Sequence, residues 1–134
     1  MVKKAYKYRF YPDAEQAELL AKTFGCVRFV YNEILRYRTD AYYAAKENVS
    51  YLGANAKLTA IKKQPELSWL NDVSSVPLQQ CLRNQQAAFS NFFAGRAKYP
   101  TFKKKNGQQS AEFTYRAFTY KDGKLCIAKS KTPL

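Results

Sequence analysis

Aromatic and basic side chains alternate at the start of the chain with a period of two. Tyr6, Tyr8 and Phe10 fall on one face of an extended segment, and Lys7 and Arg9 fall on the other. Because successive side chains of a β-strand point to opposite faces, this pattern predicts a strand with an aromatic inner face and a basic outer face.

Apolar residues then recur at intervals of three and four, which predicts helices. Asp13 and Gln16 have the spacing of a capping box, so the first helix is predicted to begin there. Gly25 is predicted to end this helix, because glycine is favoured just past a helix C-terminus. A second helix is predicted over residues 27–46, and the pair has the outline of a helix-turn-helix unit.

Two more helices are predicted before residue 96. Residues 51–53 are interpreted as a turn, residues 54–63 as a short helix, and the segment around Trp69 as a connector. Ser75 is predicted to cap the last helix, with Pro77 in its first turn, where the missing N–H costs little. The apolar stripe of this helix is typical of burial against the earlier helices.

The last part of the chain predicts a β-hairpin. Residues 113–120 and 124–128 have strand character, and the Asp122-Gly123 pair between them is a strong turn signal. Because a lone strand is not stable in water, we expect the first strand to join this hairpin in one sheet. The predicted fold class is therefore α+β, with a small antiparallel β-barrel-like sheet formed by the chain ends and a four-helix insertion. Three strands leave such a barrel incomplete.

This organisation divides the chain into three parts. Residues 1–12 supply the first strand of the barrel-like sheet, residues 13–95 form the helical insertion, and residues 96–134 form a basic loop and the returning hairpin. The 134 residues include 23 Lys and Arg against 10 Asp and Glu, a net charge of +13. From residue 94 onward, ten basic residues are opposed by only two acidic ones. Such an excess predicts a nucleic-acid partner, because Lys and Arg displace counterions from phosphate backbones.

Residues 99–107, called the basic loop below, contain two kinds of side chain that can bind nucleic acid. Tyr99 and Phe102 can stack on bases, and Lys103, Lys104 and Lys105 can neutralise phosphates. The alternative is a solvated loop whose two aromatic side chains belong to the core.

The chain carries few of the groups that catalysis or metal binding requires. It has no histidine, which excludes Ser-His and Cys-His nucleophilic pairs, and its three cysteines are far apart in sequence. The acidic residues show no pattern typical of a two-metal nuclease. We therefore expect no catalytic residue, no metal ligand, no cofactor and no small-molecule substrate in this chain. Without a membrane span or a signal peptide, a cytoplasmic protein with no membrane partner is expected.

Several motifs together resemble the opening of TnpB/OrfB proteins of bacterial insertion sequences. The order and spacing agree across nearly the whole chain, in the motifs KAYKYRFYP at residues 4–12, FGCVRFVYN at 24–32, SWL at 68–70, PLQ at 77–79 and YPTFKKK at 99–105. The resemblance implies RNA-guided DNA endonucleases, with guide RNA and duplex DNA as partners. In that family the N-terminal lobe is a small β-barrel with a helical recognition insertion. Cleavage belongs to a later RuvC-like domain that uses divalent metal and is accompanied by a zinc ribbon, and this chain is expected to end before both.

The resemblance also assigns roles to individual residues. Residues expected near the target-adjacent DNA motif are Tyr51, Asn55, Ser75, Val76, Gln79 and Tyr115. Residues expected along the nucleic-acid backbone are Lys4, Lys7, Arg9, Arg28, Lys98, Lys103, Lys104 and Lys105. The ordinary alternatives for the first group are a helix cap for Ser75, a core position for Val76 and a surface position for Gln79.

Two other functions fit the same sequence. A stand-alone helix-turn-helix regulator or transposase accessory protein would read an operator with the helix after Gly25. The broad apolar stripe of that helix, which includes Tyr31, indicates instead that the helix is buried. An interaction module that is basic only for solubility is the third possibility, and its binding would be insensitive to salt.

Overall fold

The structure is a computed structural model that describes residues 4–107 and 109–130. Helical elements form its body, and a short β-hairpin follows them. The elements are α1 (Ala14–Ala45), α2 (Tyr51–Lys62), a 3₁₀ helix (Pro65–Asp72), α3 (Ser75–Phe93), β1 (Phe118–Lys121) and β2 (Lys124–Ile127). No helix within the described ranges is both long enough and apolar enough to cross a bilayer.

Helix α1 is one continuous helix of 32 residues, so the predicted break at Gly25 is wrong. Its start is as predicted: the Gln16 backbone N–H donates to Asp13 Oδ1 at 2.9 Å, and the Asp13 N–H donates to Gln16 Oε1 at 3.0 Å. The helix ends at Ala45, and the residue after it, Lys46, adopts the left-handed conformation with φ 56°.

The helix continues through Gly25 because side chains on both sides of it are buried. Thr23 is buried before the glycine, and Cys26 and Val30 are buried after it. Glycine inside a helix costs about 1 kcal/mol relative to alanine, whereas each large apolar side chain that leaves water contributes about 1.5–3 kcal/mol. Burial therefore outweighs the local preference of glycine for a helix end.

The boundaries of the later helices differ slightly from the predicted ones. The predicted turn at residues 51–53 is instead the first turn of α2, because the Ser50 hydroxyl caps that helix and accepts from the Gly53 N–H at 3.2 Å. Ser74, rather than Ser75, caps α3 by accepting from the Val76 N–H at 3.3 Å. The predicted connector around Trp69 forms the 3₁₀ helix.

The core lies where α1, α2 and α3 meet, as their apolar stripes predicted. Val30, Ile34, Leu58, Leu78 and Leu82 belong to one buried cluster. The 3₁₀ helix covers one end of this cluster with Leu70, which is also fully buried. These side chains fix the relative positions of the three α-helices and hence of every polar group on their outer faces.

The hairpin is confirmed, but its strands are shorter than predicted. Phe118 pairs with Ile127 and Lys121 with Lys124 in an antiparallel ladder. Asp122 and Gly123 both have positive φ, of 54° and 76°, as a two-residue turn that follows the strand twist requires.

A barrel-like sheet shared by the two chain ends is not confirmed. Among the described residues the sheet has two strands, and residues 4–12 form no strand. Tyr6 and Tyr8 are 71% and 77% exposed, and their rings stack on each other with centroids 6.3 Å apart. Alternation makes an extended conformation favourable, but a strand also needs an edge with which to pair.

Replacing Gly25 with alanine tests the continuity of α1. A Cβ built at Gly25 meets nothing within 4 Å, so Gly25→Ala is expected to raise the free energy of unfolding by about 0.5–1 kcal/mol, measured by urea denaturation. Gly123→Ala is the contrasting variant, since its φ of 76° disfavours a side chain. It is expected to speed amide exchange at Ala128, whose N–H donates to the Ala117 carbonyl. Destabilisation by Gly25→Ala would instead favour a turn between two helices.

Candidate nucleic-acid interface

An asparagine side chain of α1 holds the backbone of the basic loop. Asn32 Oδ1 accepts from the Lys103 backbone N–H at 2.7 Å, and Asn32 Nδ2 donates to the Lys103 carbonyl at 3.0 Å. The two bonds join positions 71 residues apart in the sequence. The side-chain amide thus satisfies both backbone groups of Lys103, much as a neighbouring strand would.

The Lys103 ammonium lies over an aromatic ring rather than pointing freely into water. Its Nζ is 4.7 Å from the centroid of the Tyr31 ring, a distance at which a cation and an aromatic face attract each other. Burial raises the pKa of Tyr31, so its phenol stays protonated and neutral at physiological pH. Lys104 and Lys105 are exposed beside this fixed point.

Helix α1 carries basic side chains beside the place where the loop attaches. Arg28, Asn32 and Arg36 follow one another at intervals of four, so they form one stripe of the helix. Arg36 pairs with Glu33 on the same helix, whereas Arg28 lines a shallow hollow with Trp69 and Asp72. Arg28 therefore lies on the same stripe as Asn32, which binds Lys103. Arg28 and Lys103 are two of the residues that were predicted to contact phosphates.

Tyr99 belongs to the core side of the basic loop. Its hydroxyl is 2.8 Å from Thr39 Oγ1, and its ring packs edge-on against Phe89 and Phe92 at centroid distances of 5.4 and 5.2 Å. Phe102 is exposed. Of the two predicted stacking residues, Tyr99 thus fixes the loop, and Phe102 is available to a partner.

The helical residues predicted to read a DNA motif lie on adjoining faces of α2 and α3. Tyr51 and Asn55 are one turn apart on α2, and Gln79 and Arg83 are one turn apart on α3. The Arg83 guanidinium lies 5.1 Å from the centroid of the Tyr51 ring and joins the two helices.

The other predicted residues vary in position and exposure. Ser75 and Val76 are half-buried in the first turn of α3, and Asn55 Oδ1 is buried without a hydrogen-bond partner. Tyr115 lies outside the helices, exposed, with Arg116 beside its ring. Lys4, Lys7, Arg9 and Lys98 are exposed on irregular segments. The sequence did not single out Asn32 or Arg83. Asn32 nevertheless lies four residues after Arg28 on α1, and Arg83 lies four residues after Gln79 on α3, so each shares a helix face with a predicted site residue.

The two buried cysteines have no features of a reactive or metal-binding site. Burial, with a contribution from Asp72, raises the pKa of Cys26 to about 11. Burial raises the pKa of Cys81 to about 12, and its thiol donates to the Leu78 carbonyl at 3.0 Å. Within residues 4–107 and 109–130, no three His, Cys, Asp or Glu side chains come together as metal ligands.

Thiol alkylation should distinguish the three cysteines. In the folded protein at about pH 8, iodoacetamide is expected to modify the partly exposed Cys126 and to leave Cys26 and Cys81 intact, as read by peptide mass spectrometry. Folding raises both buried pKa values above the ordinary 9.0. The contribution of these two neutral thiols to the free energy of unfolding is therefore complete below pH 9. It is lost as the pH rises towards 11 for Cys26 and towards 12 for Cys81. Equal labelling of all three thiols without denaturant would contradict this packing.

Removal of the Asn32 side chain should release the basic loop without unfolding the helices. Asn32→Ala leaves the Lys103 N–H and carbonyl without their partners, so we expect faster amide exchange at Lys103 and faster tryptic cleavage after residues 103–105. The helical circular dichroism signal should not change. Asn91→Ala, at an exposed position on α3, is the matched control. Unchanged exchange at Lys103 in Asn32→Ala would show that other contacts hold the loop.

Comparison with known proteins gives this arrangement a family. A helix-turn-helix domain of the OrfB IS605 type matches residues 1–47. A candidate RNA-guided DNA endonuclease of Streptomyces pristinaespiralis is 55% identical over 134 residues, which cover 99% of this chain and 33% of that protein. The candidate RNA-guided DNA endonuclease InsQ of Escherichia coli K12 is 35% identical over 80% of this chain and 26% of its own length.

A third relative is similar in extent to this chain. The virulence protein VsdF of Salmonella dublin is 36% identical over 78% of this chain and 96% of its own length. The chain thus spans about a third and about a quarter of the two nuclease relatives, and nearly all of VsdF. By these matches the chain belongs to the TnpB/OrfB family of insertion-sequence transposon proteins, and its residues 1–47 carry the helix-turn-helix domain of that family.

Proposed function

We propose that this chain is the nucleic-acid-binding lobe of a TnpB-like RNA-guided DNA endonuclease. In this proposal it holds guide RNA and reads the short motif beside the DNA target. The observation that carries the proposal is the basic loop, which Asn32 fixes to α1 through both backbone groups of Lys103. A loop fixed in this way presents its lysines at defined positions, so little conformational freedom is lost when phosphates bind.

The charge distribution supports a phosphate backbone as the partner. Nine basic residues of the described C-terminal part are exposed: Arg96, Lys98, Lys103, Lys104, Lys105, Arg116, Lys121, Lys124 and Lys129. Only Glu112 and Asp122 oppose them in this part of the chain. Positive charge at this density attracts either RNA or DNA, because the energy comes from counterion release rather than from base identity.

The joined faces of α2 and α3 are the proposed site for reading bases. Gln79 carries an exposed amide group, which can pair with the donor and acceptor edge of adenine. Arg83, which contacts Tyr51, carries the donor fork that suits guanine. Phosphate contacts from the basic loop would set the register, and these side chains would supply the sequence preference.

Cleavage is proposed to belong to parts of the longer relatives that this chain does not span. The alternative of a stand-alone helix-turn-helix regulator is less well supported, because α1 has no turn at Gly25 and because Cys26, Val30 and Ile34 bury the face that follows. A palindromic footprint on duplex DNA in the absence of RNA would favour that alternative.

Neutralising the basic loop tests the proposed function. Lys104→Gln/Lys105→Gln is expected to weaken binding to RNA from the 3′ end of the transposon and to lower the salt slope of log K by about one for each lost phosphate contact. Fluorescence anisotropy at several salt concentrations measures both quantities. Lys62→Gln/Lys63→Gln, at the end of α2, removes the same charge elsewhere and serves as the control. An equal loss of RNA affinity in the two double variants would indicate a generic electrostatic attraction and would contradict the proposed role of the basic loop.

A further inference from the structure

A cleft of about 560 Å³ opens between the C-terminal halves of α1 and α3. Its volume falls within the range of about 300–1,000 Å³ that is typical of small-ligand sites. The proposed phosphate-binding loop does not use this cleft, although Tyr99 contributes to both. Its lining includes Arg38, Tyr42, Tyr43, Glu47, Phe92 and Phe93.

The floor of the cleft contains a buried cation. Arg38 is 4% exposed, its Nη2 donates to Gln86 Oε1 at 2.6 Å, and its guanidinium lies 4.8 Å from the centroid of the Phe89 ring. Its Nε is buried without a hydrogen-bond partner, and no carboxylate within the described ranges forms an ion pair with it. Buried charges are normally paired, so this guanidinium keeps unused donor capacity.

The walls of the cleft are aromatic, and several of them are exposed. Tyr43 and Phe93 are more than half exposed, and Tyr42 packs edge-on against Tyr43 with ring centroids 5.5 Å apart. Glu47 is the acidic residue of the lining, and Lys46 beside it lies 5.4 Å over the Tyr42 ring. An aromatic wall above a cationic floor suits a flat, electron-rich ring that carries acceptor atoms.

We propose that the cleft binds one unstacked guanine base of a single-stranded nucleic acid, held between its aromatic walls with the acceptor edge of the base towards Arg38. This inference rests on the proposed function and adds a base-specific contact to it. Guanine is the base that fits, because O6 and N7 offer two adjacent acceptors to a guanidinium, the commonest specific contact of arginine. Stacking on the tyrosine and phenylalanine rings would supply the remainder of the affinity.

The test compares two labelled ten-nucleotide RNAs, one of uridine only and one with a single central guanosine. Fluorescence anisotropy with the whole chain at about 0.15 M salt is expected to give about tenfold tighter binding of the guanosine RNA. Central adenosine should give a smaller gain, since its N6 group donates where guanine O6 accepts. In Tyr43→Ser the guanosine preference should fall below about threefold, because an aromatic wall on which the base stacks is lost.

Two further variants keep the test decisive. Arg38→Gln should abolish the guanosine preference. Because Arg38 is buried, this variant could fail to fold, and in that case Tyr43→Ser, at an exposed position in the cleft wall, tests the proposal. Tyr120→Ser is the matched control, because Tyr120 is 63% exposed on β1 and Tyr43 is 69% exposed. An equal affinity of the unmodified chain for both RNAs, or a guanosine preference that survives Tyr43→Ser, would overturn the proposal that the cleft binds guanine.

A separate measurement distinguishes failure of the cleft from failure of the proposed function. Saturation-transfer NMR with guanosine 5′-monophosphate and uridine 5′-monophosphate reports on the cleft without a long polyanion. Weak binding of the uridine RNA together with selective contacts to guanosine monophosphate would contradict the proposed function and support the guanine site in the cleft. Salt-sensitive uridine-RNA binding without guanosine selectivity in either assay would keep the proposed function and reject the cleft.

Discussion

Val30 and Ile34 of α1 lie in one buried cluster with Leu78 and Leu82 of α3, and all four side chains are withdrawn from water. Each contributes about 1.5–3 kcal/mol through burial, so this seam is where α1 and α3 are bound to each other. The seam also decides the conformation of Gly25, because a break there would pull Cys26 and Val30 out of the cluster. The positions of the basic stripe, the α2–α3 face and the aromatic cleft all depend on it.

Polar groups inside and beside this seam connect it to the candidate sites. Gln85 is fully buried and donates from Nε2 to the Tyr31 carbonyl at 3.0 Å. Tyr31 in turn receives the Lys103 ammonium on its ring, and Asn32 next to it holds the Lys103 backbone. The attachment of the basic loop is therefore continuous with the core. Arg38 lies two turns further along α1, where the same interface opens into the aromatic cleft.

Much of the candidate interface could be predicted from the sequence, because charge and residue type suffice for it. The run of lysines at residues 103–105 and the basic C-terminal part predict a phosphate-facing surface without coordinates. Asn32 could not be singled out, since its role depends on a backbone peptide 71 residues away. Arg38 was likewise hidden, because nothing in its local sequence indicates burial without a carboxylate partner.

The sequence by itself determined the elements whose signals are local. The capping box at Asp13, the apolar stripes of the helices and the Asp122-Gly123 turn depend on residues a few positions apart. The tertiary structure decided the rest, where long-range burial outweighs a local preference. Gly25 continues a helix because buried side chains lie before and after it, and residues 4–12 form no strand because alternation favours an extended conformation without supplying the hydrogen bonds of a neighbouring strand. The basic loop has a fixed position because a helix that precedes it by some seventy residues presents Asn32.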